Sequence, residues 1–101
     1  MISAEELNNH LNDNSFELID VRSTEEHDAF DIGGKHIPIA ELENSIQEIS
    51  RDKPIVFYCG VGKRSAEAVK IFFNYFADAI AFSLDGGIKA WKEKLADAEV
   101  H

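Results

Sequence analysis

The chain carries one cysteine, two prolines and no long apolar run in 101 residues, and each shortage closes off a class of function. With Cys59 alone there is no internal disulfide, no Cys-x-x-Cys redox pair and no cysteine-rich zinc site, so any thiol chemistry is that of a single sulfur. Ten Lys and Arg against nineteen Asp and Glu leave a formal charge of −9. That charge opposes the counterion release behind binding to nucleic acids and anionic membranes, so neither is an expected partner. No apolar run approaches the ~20 residues of a membrane span, and Met1-Ile2-Ser3-Ala4-Glu5-Glu6 has no basic or apolar leader region. A reducing, cytoplasmic setting is expected. His10, His27 and His101 show no metal-ligand spacing, and neither a metal nor a cofactor is expected. No Pro/Ser-rich linker or repeat interrupts the chain, and 45% apolar residues supply one core that folds without disulfides.

What is present is an alternation of short apolar runs with helical patterns. Ser3 and Glu6 stand at capping-box spacing, with Leu7 and Leu11 one turn apart, which predicts a helix ending near Asn12-Asp13-Asn14. Phe16 to Val21 reads as a strand, followed by a short helix through Glu25, Glu26 and Phe30 that Ser23 or Thr24 can cap. Ile32 to Gly34 is a turn, Ile37-Pro38-Ile39 a short extended piece, and Leu42, Ile46 and Ile49 mark another helix. Pro54 to Tyr58 is the most continuous apolar run, as a central parallel strand buried on both faces requires. Val69, Phe72, Phe73 and Phe76 predict a helix from Ser65 to about Ala77 whose aromatic stripe is core rather than a cofactor box. Ala79 to Leu84 gives the last strand. Asp85-Gly86-Gly87 then turns into a helix with Ile88, Trp91 and Leu95 on one face and a tail expected to fray from Asp97. Together these predict an α/β fold: an open, mostly parallel sheet covered on both sides, with ligands beyond the carboxyl ends of its strands.

That rule points to Cys59-Gly60-Val61-Gly62-Lys63-Arg64-Ser65, between a buried strand and a helix. Gly60 and Gly62 permit the positive φ values that turn successive N–H groups toward one point, an anion-binding nest at a helix N-terminus. A thiol there, beside Lys63 and Arg64, is expected to be held as thiolate and to act as a nucleophile. The plainer alternative is that a lone cysteine at a strand end is a small core residue.

The pattern Cys59-x-x-Gly62-x-Arg64-Ser65 resembles the active-site loop of the rhodanese-like sulfurtransferases. Asp20-Val21-Arg22, followed by Glu25 or Glu26, resembles the family's Asp-Val-Arg segment, and Leu84-Asp85-Gly86-Gly87-x-x-x-Trp91 its Leu-x-Gly-Gly-x-x-x-Trp segment. The resemblance implies one rhodanese-like domain over residues 1–101, with an open, mostly parallel five-stranded sheet and helices on both faces. It also implies that Cys59 attacks the outer sulfur of a small anionic donor such as thiosulfate. The resulting persulfide then yields its sulfur to cyanide, a small thiol or a protein thiol. Gly60, Val61, Gly62, Lys63 and Arg64 would bind the donor, Lys63 and Arg64 through its sulfonate, although Lys63 also reads as a plain solvated side chain. Asp20 and Arg22 are implied to be an ion pair and loop anchor beneath the site. Gly86 and Gly87 are expected to let the last loop pass close to the active loop, Trp91 to pack its helix onto the sheet, and Ser65 to cap the helix start. Where many members carry Gly-His-x-x-Gly-Ala, this chain has Asp31 to Pro38, so no role passes to Lys35 or His36, and His36 reads as a solvated turn residue.

Two rival readings share these residues. Cysteine-dependent phosphatases and arsenate reductase-like enzymes also use a Cys-loop-Arg cradle, but they resemble Cys-x5-Arg. Here the loop between Cys59 and Arg64 is one residue shorter, a cradle sized for a sulfur atom on the cysteine. A non-catalytic binding module of the same fold usually lacks the cysteine that this chain keeps. A P-loop reading of Gly62-Lys63 fails, because Arg64 stands where Ser or Thr is needed and Phe57 where the first Gly belongs.

Overall fold

The computed structural model describes the backbone of residues 1–11 and 13–99 and the side chains of those residues up to Lys94. Four strands, β1 (Glu17–Asp20), β2 (Lys35–His36), β3 (Ile55–Tyr58) and β4 (Ala81–Ser83), form one parallel sheet in the order β2-β1-β3-β4. The expected fifth strand is reduced to one bridge, Ile2 with Leu84. The reason is local: Ser3, next in the chain, already accepts from the Glu6 N–H as the cap of α1 (Ala4–Asn9), so no second residue can pair.

β3 is buried along its whole length, and its alternation divides the core in two. Ile55, Phe57 and Cys59 join Ile19, Val21 and Phe72 on one face, beneath α3 (Leu42–Ser45) and α4 (Lys63–Tyr75). Val56 and Tyr58 join Leu7, Leu84, Ile88 and Trp91 on the other, beneath α1 and α5 (Gly87–Glu99). Trp91 thus packs its helix onto the sheet as expected. α2 (Thr24–Ala29) buries no residue. Its order comes from the Ser23–Glu26 capping box and from polar contacts described below.

Several boundaries differ from the sequence reading. α1 ends at Asn9, before the expected Asn12, which lies outside the described residues. The edge strand is Lys35–His36 rather than Ile37-Pro38-Ile39, although the Ile37 and Ile39 N–H groups still bond to Asp20 and Val21. Pro38 has no N–H to continue the ladder, and the chain turns into a 3₁₀ segment at Ile39–Glu41. The Leu42–Ile49 helix is a single α turn followed by a second 3₁₀ segment, Ile46–Glu48, yet Leu42, Ile46 and Ile49 are all buried. α5 is still helical at Asp97 and continues to Glu99, while the Leu95 side chain and His101 lie outside the described residues.

α4 begins two residues before Ser65 and ends at Tyr75. Its innermost line is Ser65, Ala68 and Phe72, the first two small enough to let the start of the helix approach the sheet. Phe73, one helical step round from Phe72, is displaced toward solvent and is 37% exposed. Phe72→Ala should therefore cost about 3–5 kcal/mol in a urea titration, and Phe73→Ala only about 1 kcal/mol or less. Equal losses would show that the aromatic stripe, not the Ser65–Ala68–Phe72 line, sets the packing.

Candidate active site

Cys59 directly follows β3 with no solvent-accessible surface, and the loop after it closes around the sulfur. Gly62, at φ 103°, is left-handed, which any side chain would strain. That conformation aims its N–H at Cys59 Sγ, 3.1 Å away. The Ser65 N–H, in the first turn of α4, reaches the same sulfur at 3.3 Å, and Ser65 Oγ lies 3.4 Å from it. Burial pushes the Cys59 thiol up, but hydrogen bonds from the Ser65 side chain and from the N–H groups of Ser65, Gly62 and Arg64 outweigh it, leaving the thiol below its ordinary value. Cys59 is thus both a core residue and an activated thiol.

Ser65 does not cap the helix; Gly62 holds that position. The serine is buried inside the first turn, with Oγ 3.2 Å from the Gly62 carbonyl and 2.7 Å from Ser83 Oγ. The neutral Cys59 thiol donates to Ser65 Oγ, which donates to the Gly62 carbonyl. Once Cys59 is a thiolate, the Ser83 hydroxyl can donate to Ser65 Oγ, and the single Ser65 proton can turn from the carbonyl to the sulfur. Ser83 was not singled out from the sequence. The available signal was its place as the one polar residue in the run Ala79 to Leu84.

Gly60 does not use the backbone freedom that its sequence suggests. Its φ is not left-handed. A Cβ there would instead sit 3.3 Å from Arg64 Nη2 and 3.7 Å from Glu26 Oε2. Those two groups form a two-pronged pair over the loop, Nη1 to Oε1 at 2.7 Å and Nη2 to Oε2 at 2.9 Å. Arg64 therefore does not offer a free fork beside the sulfur. Glu26 holds it, and Arg64 in turn lowers the Glu26 carboxyl to about 2. Lys63 is exposed and has no ion-pair partner among the described residues, and Val61 at the loop tip is 57% exposed.

The loop is fixed from the far side by α5. Ile88 N–H donates to the Cys59 carbonyl at 2.8 Å and Lys89 N–H to the Gly60 carbonyl at 3.0 Å. This approach needs Gly87 at φ 62°, where a Cβ would stand 2.4 Å from the Cys59 oxygen. Gly86 also passes close, its N–H nitrogen 3.4 Å from where a Gly62 Cβ would be.

Beneath the loop, Asp20 Oδ1 accepts from the Arg22 backbone N–H and from Nε, both at 2.9 Å, and Oδ2 accepts from Nη2 at 2.8 Å. Arg22 Nη2 also donates to the Phe30 carbonyl, and the guanidinium lies 5.6 Å from the Tyr58 ring centroid. His27 Nδ1 completes the Asp20 shell at 2.8 Å. His36 is not a solvated turn residue. It is half-buried, meets the Arg22 carbonyl through Nε2 at 2.8 Å and stacks on His27 with ring centroids 4.3 Å apart. Lys35 is exposed. Among the described residues, no group of three or more His, Cys, Asp and Glu is arranged to hold a metal ion, and no helix is long and apolar enough to cross a membrane.

This fold and loop define a recognisable class. Residues 3–94 match the model of the Rhodanese-like domain, and the chain belongs to that family. It is 32% identical over 108 residues to the human thiosulfate:glutathione sulfurtransferase, covering 92% of this chain and 93% of that protein. The human single-domain sulfurtransferase TSTD1 superposes with a TM-score of 0.83 at 29% identity, covering 93% of this chain and 96% of that one. The uncharacterized protein YqhL of Bacillus subtilis is 35% identical over 80 residues, covering 78% of this chain. This chain spans 63% of YqhL's length and 20% of the Mycobacterium tuberculosis MoeZ, a probable adenylyltransferase/sulfurtransferase to which it is 38% identical.

Ser65→Ala should raise the midpoint of the pH profile for Cys59 alkylation by about one unit, because it removes one hydrogen bond to the thiolate and leaves the N–H groups in place. The rate of modification at neutral pH would fall accordingly. An unmoved midpoint would assign the stabilisation to the backbone alone.

Proposed function

We propose that the protein is a sulfurtransferase that carries sulfur as a persulfide on Cys59. The observation that carries this reading is the convergence of the Gly62 and Ser65 N–H groups and the Ser65 hydroxyl on one buried sulfur. A loop built this way favours negative charge on sulfur, first on Cys59 and then on a second sulfur bonded to it. The Cys59 thiolate attacks the outer sulfur of thiosulfate, a new S–S bond forms, and the old one breaks with its electron pair leaving on sulfite. A thiolate or cyanide then attacks the outer sulfur, and Cys59 thiolate is restored. With no second cysteine in the chain, that acceptor comes from outside it. The human relative's name, with thiosulfate and glutathione as its two substrates, supports both halves of the scheme.

The residues take distinct parts. The Gly60, Val61 and Lys63 N–H groups have no acceptor among the described residues and line the rim where the outer sulfur and the leaving sulfite carry charge. Lys63 supplies the unpaired cation there. Asp20 and Arg22 anchor the β1–α2 connection, and Gly86 and Gly87 admit the loop from α5. Because Cys59 has no accessible surface at rest, a donor reaches it only as the loop around the sulfur opens. The phosphatase alternative draws less support, since it would need the Arg64 fork that Glu26 occupies.

Incubation with thiosulfate should add one sulfur atom to the intact mass, and a thiol should remove it. Cys59→Ser should fold as the parent does and lose both the adduct and all thiosulfate-dependent transfer. Turnover near the parental rate in that variant would end the mechanism.

A further inference from the structure

The Glu26–Arg64 pair lies over the active loop, against the residue that follows the nucleophile. Both of its ends lie within van der Waals reach of a side chain at Gly60, the residue next to the nucleophile. The side chains of Arg64 and Glu26 are 38% and 39% exposed, so solutes meet the pair directly. The one guanidinium of the loop is thereby matched, prong for prong, by a carboxylate that its own helix holds in place. Glu26 is the third residue of the α2 capping box, and its carboxylate also faces the Ser23 N–H at 3.3 Å. Held at about 2 by Arg64 and these bonds, Glu26 is anionic wherever thiolate chemistry runs.

We propose that Glu26 is a specificity-determining residue that cancels the Arg64 charge and so penalises dianionic donors relative to organic persulfides of low charge. This deepens the reading of Cys59 as a sulfur carrier and rests on it. A persulfide RSSH delivers its outer sulfur without a sulfonate. The Cys59 thiolate attacks that sulfur, the R-side S–S bond breaks, and the electron pair leaves as RS⁻ while the proton stays on the new Cys59 persulfide. Nothing in this step requires the Arg64 fork. Thiosulfate, by contrast, brings two negative charges toward a carboxylate and gains nothing from a guanidinium that is already paired.

The test uses the sole thiol as its own electrostatic probe. Cys59 is alkylated with iodoacetate, an anion, and with iodoacetamide, its neutral counterpart, and the ratio of the two rates is taken so that changes in thiol pKa or loop opening cancel. Glu26→Gln, which keeps the shape and loses the charge, should raise that ratio about three- to tenfold at low salt, and the gain should shrink toward one at ~1 M salt. Ser23→Ala, which loosens the same helix cap without altering charge, should leave the ratio where it is. In turnover, Glu26→Gln should lower KM for thiosulfate by a similar factor, with kcat within about twofold and KM for a neutral alkyl persulfide unmoved. A ratio that is unchanged or falls in Glu26→Gln, or that rises equally in Ser23→Ala, would overturn the assignment and leave Glu26 a structural cap. Absence of a sulfur adduct from either donor in the parent protein would instead overturn the sulfur-carrier reading, and the alkylation ratio would still decide what Glu26 does to charge at the site.

Discussion

The loop after β3 turns the Gly62 and Ser65 N–H groups onto one sulfur, while the carbonyls of Cys59 and Gly60 at its start face away toward α5. Those two carbonyls need donors from outside the loop. The α5 N-terminus supplies them, because the first N–H groups of a helix have no acceptor within it. Ile88 and Lys89 spend those donors on the loop. The need for a residue without Cβ at Gly87 follows from the same contact. The Leu84–Trp91 segment and the Cys59–Ser65 segment, far apart in sequence, are thus two halves of one hydrogen-bonding problem.

A second constraint fixes the position of α2, which has no buried face of its own. Its entry is held by Asp20 and Arg22, a fully buried pair whose desolvation is offset only because nearly every donor and acceptor is used. Two of those bonds run to the flanks of α2: His27 to Asp20, and Arg22 to the Phe30 carbonyl. The Arg22 carbonyl ties in β2 through His36. The consequence for the site is indirect. Once α2 is placed, Glu26 faces Arg64, and the charge at the loop mouth is decided by a segment that never touches the sulfur.

How far the sequence discloses this depends on where a residue's partners lie. Features set by near neighbours were legible: the Ser23–Glu26 cap, the β3 run ending in Cys59, the glycine before α4 and the double glycine before α5. Ser65 was misread because Ser, next to a helix start, is a cap by local rule, while its real partners are Cys59, six residues back, and Ser83 on another strand. Gly60 was misread in a related way: its local rule is backbone freedom, which its φ does not use, and its neighbours are the distant Arg64–Glu26 pair. His36 was assigned to solvent because nothing nearby in sequence hints at His27 stacking on it. The missing fifth strand follows the opposite logic, since a local event, the Ser3 cap, overrides the family pattern.

The basic residues of the motif segments divide by task in a way that net charge conceals. Arg22 is committed to Asp20 and Arg64 to Glu26, so the positive charge that Arg64 presents to the sulfur is shared with a carboxylate. The thiolate is held instead by dipoles, N–H and O–H groups about 3 Å away in a site without solvent. Such interactions are short-ranged and barely screened, so activation of Cys59 is insulated from the −9 charge of the rest of the molecule. Entry is governed differently. The pair at the mouth, Lys63 and the acidic surface are exposed and act through water, where screening sets in over about 8 Å at physiological salt. In the proposed sulfurtransferase, activation and selection would therefore rest on physically separate interactions, and a change in one of the surface charges would alter which donor arrives without altering the nucleophile that meets it.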